Sequence, residues 1–578
     1  MSTPDSTGSQ KSNGFSVILG NPPWERIKLQ EQEFFAQRDP AVAGAPKSAD
    51  RKKAIAALKD TNPALLDEFH AATRIAEGES HLLRSSGRYP LCGRGDINTY
   101  AVFAESMRDA IAPTGRLGVI VPTGIATDDT TKFFFGDMVQ TRTLRVLYDF
   151  ENQGIFADVH NSYKFCILAV AGSPATTADA KIDFSFFAHS AEEAMTPGRR
   201  FSMSPDDITL LNPNTRTCPV FRTERDAEIT KAIYRRVPVL IREAQGDAPE
   251  ANPWGLTFLR MFDMANASGL FIAPEVACPA VAEALSGHAA ASIASSTMAV
   301  DPSTRGVDPS TTTVSGSTTT VEGSTTTVEG STTTKARSTT IIKGFATTAD
   351  PSTTTVDSAL MSVDEANDAH SLRILPFLPL YEAKMLHQFD HRWATYAREG
   401  CSWLSTPILT KINKEGKPEP DTRDVIPQEQ ADPATLVAPR YWVKREEVEA
   451  RLIKTDKDGK VTWRWEREWL LGFRDIARNT DDRTLIATVL PRTAAGHKAP
   501  LMFTDTADAH QAACLVACMD SFVVDYAARQ KIGGTSMSYF FLKQFPILPP
   551  SAFAASCLWD ASATLAEWIA SRVLELVY

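Results

Sequence analysis

What the sequence lacks narrows the reading first. No apolar run approaches the roughly 18 residues that a membrane-crossing helix needs, so no membrane is expected among its partners. The polar start from Met1 to Gly14 has no hydrophobic stretch of the kind a secretory signal carries. Cysteine is sparse: eight residues (Cys92, Cys166, Cys218, Cys278, Cys401, Cys514, Cys518 and Cys557) are scattered over 578 positions without a framework, which reads as reduced thiols in the cytoplasm. Positive charge is not in excess either. With 60 Lys and Arg against 70 Asp and Glu the net charge is −10. That argues against a protein that coats nucleic acid by bulk phosphate neutralisation, but it leaves room for a local basic groove. Metal ligands do not gather. His387 and His391 stand one helical turn apart, yet Gln388 occupies the place of a zinc protease's glutamate and no third ligand follows. Cys514 and Cys518 sit in an apolar helical stretch that suits packing. No metal is expected.

What is present divides the chain. Apolar residues make up 43% and aromatics 9% of it, enough for about two to three folded units. Residues 1–14 read as a disordered tail. Over 15–172 strands alternate with helices. Phe15 to Leu19 is a short apolar run closed by Gly20 and two prolines, which suits a buried strand. Tyr100, Phe103, Met107 and Ile111 predict a helix over 97–112, with Asp96 or Asn98 as its cap and Pro113-Thr-Gly115 as its stop. Arg116 to Val121, Leu144 to Phe150 and Phe165 to Ala171 read as further strands. Such alternation predicts an α/β fold with a largely parallel, doubly wound sheet.

Residues 173–299 read as an extension or connector. Near-identical heptads follow, among them Ser317-Thr-Thr-Thr-Val-Glu-Gly323 and Ser324-Thr-Thr-Thr-Val-Glu-Gly330. With one apolar residue and a glycine per unit they offer neither a coiled-coil seam nor a solenoid core, so the tract over 300–358 is expected to be disordered. Order resumes over 359–578, expected to be a mixed α+β region. Trp442, Trp463, Trp465 and Trp469 are interleaved there with Arg440, Lys444, Arg464 and Arg467. That pattern suits nucleic-acid contact, but tryptophans more often pack in cores, and Glu446, Glu447, Glu449, Glu466 and Glu468 offset much of the charge. An amphipathic helix through Leu515, Met519, Phe522, Val523 and Tyr526 is expected to end at Gly533-Gly534, and a last helix to cover 561–577.

One motif points to chemistry. Asn21-Pro22-Pro23-Trp24 directly follows the first strand, where a doubly wound sheet places its ligand crevice. The exocyclic amine of adenine is a poor nucleophile because its lone pair is delocalised into the ring. Two acceptors on its hydrogens, the Asn21 side-chain oxygen and the Pro22 carbonyl, would draw the nitrogen toward a tetrahedral, more nucleophilic geometry. Consecutive prolines make the turn rigid and unable to rejoin a ladder, and Trp24 would stack on an extruded base. An ordinary Asx-Pro turn capping a strand uses the same residues.

The context of the motif resembles the N6-adenine DNA methyltransferases of the gamma arrangement, particularly large type IIG restriction–modification and phage-defence methylases. Phe15 to Leu29 resembles their fourth motif. Gly95-Asp-Ile-Asn-Thr-Tyr-Ala-Val-Phe103 and Gly115-Arg-Leu-Gly-Val-Ile-Val-Pro122 resemble the fifth and sixth, and Gly154 to Phe165 the eighth. Pro213 to Phe221 and Ile532-Gly-Gly-Thr-Ser-Met-Ser-Tyr-Phe540 also look like family segments. The resemblance implies part of a class I methyltransferase (Rossmann-like) sheet over 15–172, with Asn21, Pro22, Pro23 and Trp24 catalytic and Trp24 and Phe156 stacking on the flipped base. It further implies double-stranded DNA as partner, S-adenosylmethionine as methyl donor, and a target-recognition region over 359–578. Arg440, Lys444, Arg464, Arg467, Thr535 and Ser536 are the candidate DNA contacts there.

One departure stands out. In that family a glycine-rich loop after the first strand and an acidic residue after the second hold the donor, both upstream of Asn-Pro-Pro. Too few residues precede Asn21 for those strands, so the donor-binding part is expected to be absent. The expected function is site-specific adenine methylation in a restriction–modification or phage-defence system. The alternatives are an inactive DNA-binding remnant, or a catalytic half beside a separate donor-binding chain.

Overall fold

The computed structural model describes residues 14–297 and 372–577, except 46–47, 158, 161–162, 176–180, 373, 405–407, 414–415, 433–435 and 507. The heptad tract and nearly all of the N-terminal tail therefore lie outside the described residues.

Six strands form the first sheet: β1 (Phe15–Gly20), β2 (Ile111–Pro122), β3 (Leu144–Glu151), β4 (Lys164–Ala171), β5 (Ile182–Ala188) and β6 (Phe201–Met203), in the order β1-β2-β4-β3-β5-β6. β1 runs parallel to β2 and β3 parallel to β5, but β4 is antiparallel to both β2 and β3, and β6 to β5. The largely parallel sheet expected from the alternation is thus corrected to a mixed one. The cause is the connection. A parallel return needs a long crossover, normally helical. The helices Thr99–Ala110 and Lys132–Gln140 lie on the paths from β1 to β2 and from β2 to β3. No described residue of 152–163 is helical, and that segment folds β4 straight back between β2 and β3.

The central strands bury one apolar face, whereas Ile120, Val146, Tyr148 and Ala169 on the other are half-buried and Ile167 is 36% exposed. Val119, Val121, Leu147, Cys166, Leu168 and Val170 are at most 1% exposed and pack with Phe134, Phe135 and Met138 of the crossover helix. β1 is different. Among the described residues it pairs only with β2, and its Phe15, Val17 and Leu19 are 65%, 62% and 79% exposed.

The helix predicted over 97–112 spans Thr99–Ala110, and β2 begins at once at Ile111 rather than at Arg116. Phe15 pairs with Ile111 and a register shift then puts Val17 opposite Arg116, so a bulge absorbs the Pro-Thr-Gly segment instead of a turn. Between β1 and this helix lies a helical hairpin, Ser48–Thr61 and Pro63–Ser85. Asn62 starts its second helix by accepting from Leu65 N at 3.2 Å, with Pro63 in the first turn. Phe34, Phe35, Val42, Ile55, Leu58 and Leu65 form a small core beside it.

The second body is built on a four-stranded antiparallel sheet, Ala487–Pro491, Trp469–Phe473, Leu501–Phe503 and Thr257–Leu259, over a core that holds Trp254, Phe262, Tyr381, Tyr396, Trp442 and Phe473. The single amphipathic helix expected through Tyr526 is two helices, Ala509–Met519 and Phe522–Arg529. Ser521 breaks it by capping the second, its hydroxyl accepting from Val524 N at 3.3 Å. The last helix starts at Leu565 rather than near Ala561, because Asp560–Thr564 pairs as a strand and Thr564 and Glu567 then exchange capping bonds of 3.3 and 2.7 Å.

The two bodies are stitched by buried polar contacts. Tyr234 Oη donates to Gln544 O at 2.8 Å, Gln544 Oε1 accepts from Asn214 N at 2.9 Å, and Val220 N donates to Gln530 O at 2.8 Å. Among the described residues no single helix is long and apolar enough to cross a membrane.

Candidate functional site

At the end of β1 the chain turns through Asn21-Pro22-Pro23-Trp24. Two prolines fix φ and remove two donors, so the strand cannot continue. The turn is clamped to the start of helix Thr99–Ala110. Thr99 Oγ1 donates to Pro23 O at 2.7 Å and accepts from Glu25 N at 3.0 Å. Thr99 N donates to Glu25 O at 2.8 Å, and Ile27 N to Ile97 O at 3.1 Å. Pro22 is buried, Asn21 and Pro23 are exposed, and Trp24 is half-buried.

The structure brings Phe156 to Trp24. Their rings lie 5.8 Å apart at 77°, and Phe165 of β4 backs both, at 4.9 Å from Phe156 and 6.2 Å from Trp24. Edge-to-face contacts of this kind are favourable for aromatic quadrupoles. The β3–β4 loop that carries Phe156 is held by Asn152, which is wholly buried. Its side chain accepts from Phe156 N at 2.8 Å and donates to Phe156 O at 3.0 Å and Val159 O at 2.6 Å. Sequence reasoning did not find Asn152. The signal available was an amide residue directly after a strand, two positions before a glycine that adopts φ +85°.

Trp24 forms part of the wall of an open cleft of about 1170 Å³, lined by the segments after β1 and β2, by Asp149 of β3 and by the segment before β4, with Gly533-Gly534 from the second body. Its floor contains Asp149, which is fully buried; burial raises its carboxyl pKa, against the opposing effect of bonds from Thr123 Oγ1 and from Phe187 N at 3.0 Å. Burial likewise raises Asp128. Phe187 adopts φ +58°, a conformation that costs a bulky residue roughly 1–3 kcal/mol. Asp149 and Arg199, which donates to the Phe186 and Phe187 carbonyls at 3.1 Å each, hold it there. Two polar atoms of cleft residues, Trp24 Nε1 and Asn98 Oδ1, are sequestered without a partner. Asn98 occupies the helix N-cap position but its side chain makes no capping bond.

The other sequence candidates lie in the second body. Trp442, Trp465 and Trp469 are core residues at 0%, 4% and 8% exposure. Arg467 packs over Trp465 and Trp469 and donates to Thr506 O at 2.7 Å. Arg440 is half-buried over Tyr441, whereas Lys444 and Arg464 are exposed. Thr535 is exposed, its carbonyl accepting from Ala477 N at 3.2 Å, and Ser536 Oγ donates to the buried Asp475 at 2.8 Å. His391 is half-buried with its Nδ1 sequestered, and desolvation of the ring pushes it down to about 3. His387 stacks on Trp393 at 4.2 Å. Among the described residues no three His, Cys, Asp or Glu side chains gather as a metal site would require.

No protein-family model and no curated protein matches the chain. Solved structures similar to it include a type IIL restriction–modification enzyme, MmeI, in complex with DNA, at 8% identity over 97% of this chain and 52% of that one, with a TM-score of 0.33. The type IIG restriction endonuclease BpuSI is similar at 10% identity over 97% of this chain and 49% of that one, with a TM-score of 0.26. A type I restriction–modification methyltransferase subunit from Streptococcus thermophilus is similar at 10% identity over 37% of this chain and 39% of that one, with a TM-score of 0.21. The chain thus spans about half the length, or less, of each.

Proposed function

We propose that the cleft takes an adenine turned out of duplex DNA, and that the chain is the base-holding part of an N6-adenine DNA methyltransferase of a restriction–modification or phage-defence system. The observation that carries this is the meeting of Trp24 and Phe156, delivered by two separate loops, beside the cleft that Trp24 lines. Chemistry on a base in a duplex requires removing it from the stack, and aromatic rings repay part of that cost.

In this reading Asn21 and the Pro22 carbonyl accept the two hydrogens of the adenine amine and localise its lone pair on nitrogen. The clamp of Thr99 on Pro23 and Glu25 keeps that turn from relaxing. S-adenosylmethionine supplies the methyl group in such chemistry. The described residues do not fit it, because no glycine-rich loop follows a strand of the first sheet: Gly93 and Gly95 precede a helix, and Gly533-Gly534 follow one. The chain's part is therefore derived for the acceptor alone.

The exposed apolar β1 favours a second, compatible reading. An edge strand with unpaired backbone and bare Phe15, Val17 and Leu19 is a template for another strand. A separate donor-binding polypeptide segment is the occupant this reading assigns to it.

The test is 2-aminopurine emission from a duplex with that base mismatched at its centre. Binding of the wild-type chain raises emission as the base unstacks. Trp24→Ala and Phe156→Ala weaken retention of the base by roughly 1–3 kcal/mol each. Wild-type emission in both variants would refute the pocket.

A further inference from the structure

Most glycines in this fold have a visible reason. Gly154 adopts φ +85°, and at Gly93 a Cβ would come within 2.6 Å of the Leu83 and Tyr89 carbonyls. Gly533 and Gly534 have neither reason. Their φ values are ones any residue adopts, and a Cβ at either would meet no atom within 4 Å. They do not supply flexibility either. Ile532 and Met537, on the two sides, are wholly buried, Ala477 N donates to Thr535 O at 3.2 Å, and Met537 N donates to Asp475 O at 2.6 Å. The chain's own fold thus leaves room for side chains at both positions.

Both glycines line the 1170 Å³ cleft together with Trp24. Bare backbone on a ligand-facing wall is what a closely approaching partner requires. A second feature bears on the partner's charge. Arg26 and Lys28 line the same cleft beside Glu25, Glu33 and Asp128, are exposed, and form no ion pair within 4 Å among the described residues. A polyanion whose phosphates reach these two cations fits both features.

We propose that Gly533-Gly534 is the seat of the target strand's sugar–phosphate backbone where it leaves the duplex, and that Arg26 and Lys28 hold phosphates of the same strand. This rests on the reading of the cleft as a pocket for an extruded DNA base. The loop between Ile532 and Met537 then ties recognition to chemistry, since it is anchored on Asp475 of the second body and presents its glycines to the cleft of the first.

The full-length chain carrying Gly533→Ala, Gly534→Ala or Gly534→Val is compared with wild type on the mismatched 2-aminopurine duplex and in thermal unfolding. The expected result is an unchanged or slightly raised melting temperature with DNA affinity weakened about tenfold or more, most for valine. Arg26→Ala and Lys28→Ala each lower the slope of log affinity against log salt by about one. A fall in melting temperature in the alanine variants would assign the glycines to the fold, and wild-type affinity in all three glycine variants would remove the seat; either result overturns the proposal. Wild-type binding without any rise in emission would instead contradict the base-pocket reading, and it leaves the glycine comparison readable through affinity.

Discussion

Removing Asn152 should release the loop that carries Phe156 and, with it, Val159 of the cleft wall. Three hydrogen bonds depend on this one buried amide: those to Phe156 N, Phe156 O and Val159 O, at 2.8, 3.0 and 2.6 Å. At about 0.5–1.5 kcal/mol net for each bond, Asn152→Ala costs about 2–4 kcal/mol, the upper end applying if the freed Phe156 amide stays out of water. Gln153, Gly154 and Ile155 are exposed, so the freed loop has solvent to move into. Its displacement would carry Phe156 away from Trp24. Urea unfolding measures the first effect and 2-aminopurine emission on the mismatched duplex the second. Both should fall, and emission should fall as far as in Phe156→Ala. A variant that loses stability but keeps full emission would show that Asn152 only closes a loop. Unchanged stability would refute the hydrogen-bond reasoning outright.

Titration calorimetry of the soluble chain with S-adenosylmethionine should give no micromolar binding, and such binding would show that the described residues hold a donor site after all. Desolvation sets the His391 ring at about 3 against its ordinary 6.5. The unfolded chain therefore takes up this proton first, and stability is lost as pH falls from about 6.5 toward 3. His391→Phe should flatten that part of the pH–stability curve, and an unaltered curve would contradict the account of the desolvated ring. Ser521→Ala removes the cap that starts helix Phe522–Arg529 and should cost about 1 kcal/mol in chemical unfolding; no change would mean that the helix break is held by the core alone.

Parts of this structure were legible because a residue pattern has one physical outcome. Phe15 to Leu19, closed by Gly20 and two prolines, forms the short strand and turn expected of it, although the strand is exposed rather than buried, and the chain afterwards brings Phe156 to Trp24. Strand direction was not legible. β4 reads like its neighbours because each central strand buries one apolar face, and nothing in Phe165 to Ala171 records that it runs backward between β2 and β3. The tryptophan–arginine segment was ambiguous for a related reason. Alternation of aromatic and basic residues fits a strand with one face in the core as well as a DNA-reading surface, and here Trp465 and Trp469 point inward while Arg464 stays out. Asn152, Gly533 and Gly534 escaped because their meaning lies in what surrounds them.

The central claim is that the Asn21-Pro-Pro-Trp24 turn and the Phe156 loop receive the base. Photocrosslinking tests it most directly, with 8-azidoadenine placed at a mismatch in a duplex, irradiated with the full-length chain, and the adduct mapped by peptide mass spectrometry. The account predicts attachment at Trp24 or Phe156, lost from each position when that residue is replaced by alanine. Attachment confined to the second body, around Trp442 to Trp469, would contradict it.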